Sequence, residues 1–156
     1  MDLELGWLAG PRTAGAVVTT GVFDLLHRGH VDFLRGLAGT GRPVLVGVES
    51  DERVRAGKGP GRPINPVADR AAVLAELRSV AAVFAISGPA RISGAEDYAR
   101  LLAPLAPAVL GFTEGDPHRA AKIRGADLLG AEVVELRLLP ERSTSHLLAR
   151  LRATGP

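Results

Sequence analysis

The order of elements along the 156-residue chain predicts an α/β protein: a doubly wound, five-stranded parallel sheet with helices on both faces. Three observations carry this expectation. Short apolar, β-branched runs recur without strict alternation, the pattern of strands covered on both faces. Amphipathic stretches separate them, so successive strands run parallel through right-handed crossovers. Polar, glycine-containing segments follow several of the runs, at the carboxyl ends where such sheets bind ligands.

Residues 1–15, interrupted by Gly and Pro, read as an N-terminal arm of one domain spanning 1–156. Residues 16–23 form the first strand and 28–37 the first helix. The second strand is 43–48 (PVLVGV). Residues 51–65 lack apolar periodicity and are rich in Gly, Arg, Lys and Pro, so a loop able to meet phosphates is expected. Pro66 suits a first helical position and opens an amphipathic helix to about residue 78. Residues 80–86 are strand three, and 96–102 are helical until Pro104 and Pro107 end the helix. Strand 108–112, a helix over 117–129, strand 132–136 and a last helix from Ser143 complete the alternation.

Aliphatic side chains build the core, since 46% of residues are hydrophobic but only 4% aromatic. No apolar run approaches the ~20 residues of a membrane span, and the N-terminal MDLELGWLAG carries acids rather than a basic leader. A cytoplasmic protein with no membrane association is expected. The absence of Cys removes disulfides and thiolate chemistry. Net charge is +2, and all but two of the 19 basic residues are Arg, which lifts the isoelectric point to about 9.7 without a basic run. Nucleic acid is therefore not an expected partner. With lysine so scarce, Lys58 becomes worth following.

The junction after the first strand, TTGVFDLLHRGH, holds Asp24, His27, Gly29 and His30. Residues three apart share a helix face, so His27 and His30 point together from a helix N-terminus whose free N–H groups favour anions. Gly29 between them lets a phosphate approach the backbone. Capping or half-buried histidines would fit the same string. Its position between a buried strand and an amphipathic helix favours chemistry.

The whole segment resembles the signature of the cytidylyltransferase-like nucleotidyltransferases, approximately T-x-G-x-F-D-x-L-H-x-G-H, which Thr19, Gly21, Phe23, Asp24, Leu26, His27, Gly29 and His30 fit. The resemblance implies a Rossmann-like fold of the nucleotidyltransferase (HUP) type. It also implies transfer of a nucleotidyl group from ATP or CTP to a phosphorylated acceptor with release of pyrophosphate. Thr20, Gly21, Val22, Phe23, Asp24, His27, Gly29 and His30 would then contact the nucleotide, with His27 and His30 stabilising the reacting phosphate. Residues 50–70, SDERVRAGKGPGRPINPVADR, look like the corresponding region of the adenylyltransferase domain of bacterial ADP-heptose synthase. By that likeness Lys58 contacts the triphosphate and Arg70 the phosphates or nucleotide, both as catalytic residues. A solvated loop lysine and a surface helix arginine are the plain alternatives.

Ser143, Thr144 and Ser145 are hydroxyl donors at a helix start, where hydroxyls and free amides can bind phosphate jointly. They resemble the family's S-T-T triplet on the outer phosphates, although Pro140, Glu141 and Arg142 depart from the residues common before it. In VLGFTEGD, Gly115 and Asp116 match a Gly/Asp-rich turn beside the family's acceptor, and Phe112 stands where the heptose enzymes carry lysine. These three are the acceptor-side candidates. His118, Arg119 and His146 read as surface residues.

The resemblance further implies Mg²⁺ held by substrate phosphates without a dedicated protein site, and a homodimer. The sequence contains no G-x-S-x-G, H-E-x-x-H or G-x-x-x-x-G-K-[ST], which argues against serine, zinc and P-loop chemistry. An adenylyltransferase acting on a sugar 1-phosphate is the leading expectation. The alternatives are a cytidylyltransferase for a polyol phosphate such as glycerol 3-phosphate, an inert nucleotide-binding domain and a histidine metal-binding module. The lack of an Arg-Thr-Glu-Gly string before the last helix tilts the choice toward ATP.

Overall fold

The computed structural model describes residues 1–155. β1 (Glu4–Ala9), β2 (Val17–Gly21), β3 (Val44–Glu49), β4 (Ala82–Ser87), β5 (Val109–Thr113) and β6 (Glu132–Leu136) alternate with α1 (Arg28–Ala38), α2 (Asp51–Lys58), α3 (Val67–Ala75), α4 (Ala95–Leu102), α5 (Arg119–Leu129) and α6 (Thr144–Ala153). Among the described residues the strands form one sheet in the order β1-β4-β3-β2-β5-β6. All neighbours are parallel except β1, which runs antiparallel to β4.

The five parallel strands expected from sequence are present, and the correction concerns residues 1–15. The arm contains a sixth strand, and the sheet is mixed. Trp7 carries β1 onto the core by stacking on Phe84, ring centroids 6.0 Å apart. Gly10, at φ +77°, ends the strand where a Cβ would fall 2.1 Å from the Ala81 carbonyl oxygen, so no other residue fits.

Adjacent residues of a strand face opposite sides of the sheet, which sorts the core into two halves. Val17, Val44 and Val46 pack with Leu34, Leu37 and Leu74 on the side of α1 and α3. Val18, Leu45 and Phe84 pack with Leu102, Leu110 and Ala126 on the side of α4 and α5. The VLVGV run of β3 is buried throughout, as a central parallel strand covered on both faces must be.

Residues 51–58, expected as loop, form α2. Asp51 and Glu52 occupy its first turn, Arg55 and Lys58 its last, the arrangement that the helix dipole favours. β2 lies between β3 and β5, so winding reverses between β2 and β5 and their carboxyl ends open a crevice. No helix among the described residues is long and apolar enough to cross a membrane.

Candidate active site

His27 is the N-cap of α1 and reaches inward with one ring nitrogen. Its Nδ1 accepts from the Gly29 N–H at 3.0 Å, and the His27 N–H in turn donates to His30 Nδ1 at 3.3 Å. This reciprocal cap ties both Nδ1 atoms to backbone and leaves the proton of each neutral ring on Nε2. The rings lie 4.0 Å apart. Burial lowers the His27 pKa. Burial and then the His27 neighbour push His30 down to about 4, against an opposing contribution from Asp24. At neutral pH both rings are therefore neutral donors. His27 Nε2 is buried without a hydrogen-bond partner, an arrangement that costs stability unless a ligand supplies an acceptor.

Asp24 holds this corner together rather than facing a ligand, which corrects its expected nucleotide contact. The carboxylate is 1% exposed and accepts from the Leu25, Ile64 and Asn65 N–H groups at 3.1, 2.6 and 3.1 Å. Its backbone carbonyl accepts from Thr144 Oγ1 at 2.8 Å. That contact brings the start of α6, with Ser143 and Ser145, beside the histidines. Ser143 Oγ caps α6 by accepting from the His146 N–H.

Gly29 also differs from expectation. A Cβ there would lie 2.4 Å from the Arg142 carbonyl oxygen, so its backbone is approached by the turn before α6. Arg70 is corrected too: it is 2% exposed and cannot meet a phosphate in solvent. Its guanidinium donates to the carbonyls of Asn65, Val22 and Glu49 and to Asp51 Oδ1, at 2.6 to 2.9 Å. Arg70 is a staple between β2, β3, α2 and the 62–66 loop. Phe23, at φ +51°, is buried and lies against His30 at 5.7 Å, where it positions the ring.

On the other side of β2 a cavity of about 500 Å³ opens between α2, α4 and α5. Thr20, Gly21 and Val22 line it, as do Lys58, Phe112 and His118. Lys58 is exposed at the end of α2, on this cavity rather than in the histidine corner. Phe112 is 1% exposed and forms part of the closed wall. Gly115 sits in the following turn at φ +78°.

Asp116 binds Lys122 Nζ at 2.7 Å, and Nζ also donates to the Thr20 carbonyl at 3.3 Å. Although partial burial opposes its ionisation, Asp116 is held below the usual carboxylate range by Lys122. Lys122 was missed in the sequence, where the same scarcity that marked Lys58 could have marked it. Glu49, Arg53 and Tyr98, which share a cluster in the cavity wall, were missed as well and carried no motif. Arg62 lies half-buried beside Asp24, with Nε 3.7 Å from Oδ2.

Residues 18–93 match a family model described as cytidylyltransferase-like. The bifunctional protein HldE of Halorhodospira halophila is 38% identical over 97% of this chain and 32% of its own length. HldE of Streptomyces coelicolor is 41% identical over 87% of this chain and 28% of its own. The chain thus spans about a third of the length of these curated relatives. A lipopolysaccharide core biosynthesis protein from Thermoplasma volcanium shares the fold with a TM-score of 0.60 at 24% identity, covering 80% of this chain and 95% of that one. Pantothenate synthetase from Thermus thermophilus does so with a TM-score of 0.53 at 24% identity, over 84% of this chain and 58% of that one. The matched span contains β2, both histidines, α2 and Arg70, and the chain thus carries a cytidylyltransferase-like domain.

Proposed function

We propose that the protein transfers the adenylyl group of ATP to the phosphate of a small acceptor, a sugar 1-phosphate, and releases pyrophosphate. The observation that carries this reading is the pair of neutral imidazoles with Nδ1 tied to backbone and Nε2–H left for an acceptor. Such fixed donors suit charge that develops on phosphate oxygens, because they need no reorganisation during reaction. The likeness of residues 50–70 to the adenylyltransferase domain of ADP-heptose synthase, together with the similarity to bifunctional HldE proteins, supports adenylyl transfer to a sugar phosphate.

In this mechanism an oxygen of the acceptor phosphate forms a bond to the α-phosphorus while the bond to the bridging α–β oxygen breaks in line. Pyrophosphate carries away the bonding pair, and no covalent enzyme intermediate forms. His27 and His30 donate to oxygens of the reacting phosphate and the leaving group. The α6 start, Ser143–Ser145, and Lys58 neutralise the outer phosphates, and Arg70 and Asp24 fix the scaffold beneath them. Among the described residues no three His, Asp or Glu side chains converge as a metal cage, and the corner offers N–H donors. A Mg²⁺ ion entering with the nucleotide would be held by phosphate oxygens and water and would neutralise triphosphate charge.

Pyrophosphate release measured with each nucleoside triphosphate against phosphorylated sugars and polyols tests the proposal. Turnover confined to CTP with polyol phosphates, or nucleotide binding without turnover, would defeat it.

A further inference from the structure

The cavity beside the histidine corner is bounded by an unusual wall for a sugar site. Its closed side consists of Val18, Leu102, Leu110 and Phe112, all buried, and Ala95, Ala99 and Gly125 on α4 and α5 leave the space open.

Three polar side chains in the wall, Glu49, Arg53 and Tyr98, are occupied with one another. Glu49 accepts from Arg53 Nε at 2.6 Å and from the Tyr98 hydroxyl. Arg53 also donates to Tyr98 at 3.0 Å and to the Pro89 and Ile92 carbonyls at 2.8 and 3.2 Å. Burial and the Glu49 carboxylate raise the Tyr98 pKa, which keeps the phenol protonated as a donor to Glu49. The groups still able to bind a ligand are few: exposed Lys58, Ser93 and His118, the Thr20 hydroxyl at the end of β2, and the one Lys122 N–H not used by Thr20 and Asp116.

We infer that this cavity encloses the body of the acceptor and selects one poor in hydroxyl groups, a deoxygenated sugar phosphate, over a fully hydroxylated heptose or hexose phosphate. The inference rests on the proposed transfer to a phosphate acceptor. A polyol carried into the cavity gives up water at every hydroxyl and finds few partners in the wall beyond Thr20, which disfavours it. An apolar ring substituent meets matching side chains there. The cationic mouth suits the phosphate. A purine would be no better served than a polyol, because its nitrogen edge needs partners that Glu49, Arg53 and Tyr98 no longer offer.

The test compares pyrophosphate release, with ATP, from matched hexose 1-phosphates and their 6-deoxy and dideoxy counterparts, and from a heptose 1-phosphate. The deoxygenated member of each pair is expected to show a kcat/KM at least about tenfold higher. Ala99→Leu, which fills the cavity from α4, is expected to raise the acceptor KM by about tenfold or more with the ATP KM within about twofold. Gly125→Ala adds a methyl group with ordinary contacts, 3.8 Å from the Ala95 oxygen and 4.0 Å from Leu110, and supplies a second variant if Ala99→Leu fails to fold. Equal or better use of the hydroxylated sugars overturns the inference, as does a rise in the ATP KM in place of the acceptor KM.

If ATP binds but no acceptor turns over, adenylyl transfer fails as the reading. Calorimetric titration of the same sugar phosphates then decides the cavity by itself. Saturable binding of the deoxygenated members, weakened in Ala99→Leu, supports it, and absence of binding overturns it.

Discussion

On one side of β2, two histidines give one ring nitrogen each to the backbone and keep the other for a ligand. On the other side, Glu49, Arg53 and Tyr98 engage one another so fully that a wall containing two charges offers a ligand little. The two regions are built from polar residues at similar depth, yet one is a set of directed donors and the other an apolar enclosure. The difference is how completely the hydrogen-bonding capacity is satisfied within the protein, which residue type alone does not reveal.

The largest effect expected is at the histidines. His30→Ala should lower turnover by about 10³, or ~4 kcal/mol of transition-state stabilisation, with ATP affinity changed only a few-fold; near-normal kcat would remove the contrast between the two regions. Arg70→Met should cost about 2–4 kcal/mol in urea unfolding, because it strands Asp51 and three carbonyls. A solvent-facing phosphate ligand would instead leave stability within about 0.5 kcal/mol, so an unchanged midpoint would return Arg70 to the ligand.

Acid should act through the histidine corner. Between pH 6.5 and about 4 the unfolded chain carries a proton on the position 30 imidazole that the folded chain does not. Stability is therefore full above pH 6.5 and falls as pH drops through that window, by up to about 3 kcal/mol from His30, and His27 shifts in the same direction. Urea midpoints at pH 7 and 4.5 should differ more in the wild type than in His30→Gln. The smallest effect belongs to Lys58→Ala, a loss of about 1 kcal/mol in productive binding read as a several-fold rise in KM. Unchanged kinetics would assign Lys58 to the solvated surface.

Much of the architecture was legible because burial on both faces writes continuous apolar runs into β2 to β5. β1 was not, since Gly6 breaks its run and its attachment depends on Trp7 meeting Phe84, about 77 positions away. α2 escaped because its buried residues are Val54 and a paired arginine, Arg53, which leaves no apolar stripe to read. In the site, the motif identified His27 and His30 but not how their protons are disposed. It gave Asp24 and Arg70 the right neighbourhood and the wrong partners: buried charge is defined by what surrounds it, and those groups come from distant segments.

Asp24 has a dynamic meaning as well as a static one. Its carboxylate captures the chain 40 and 41 residues on, and its carbonyl captures α6 120 residues on. Contacts that close such long loops bear their entropy before they yield any return, and a single residue here holds three segments of the chain to one point. Loosening of the α6 start would therefore open the histidine corner while the strands remain paired.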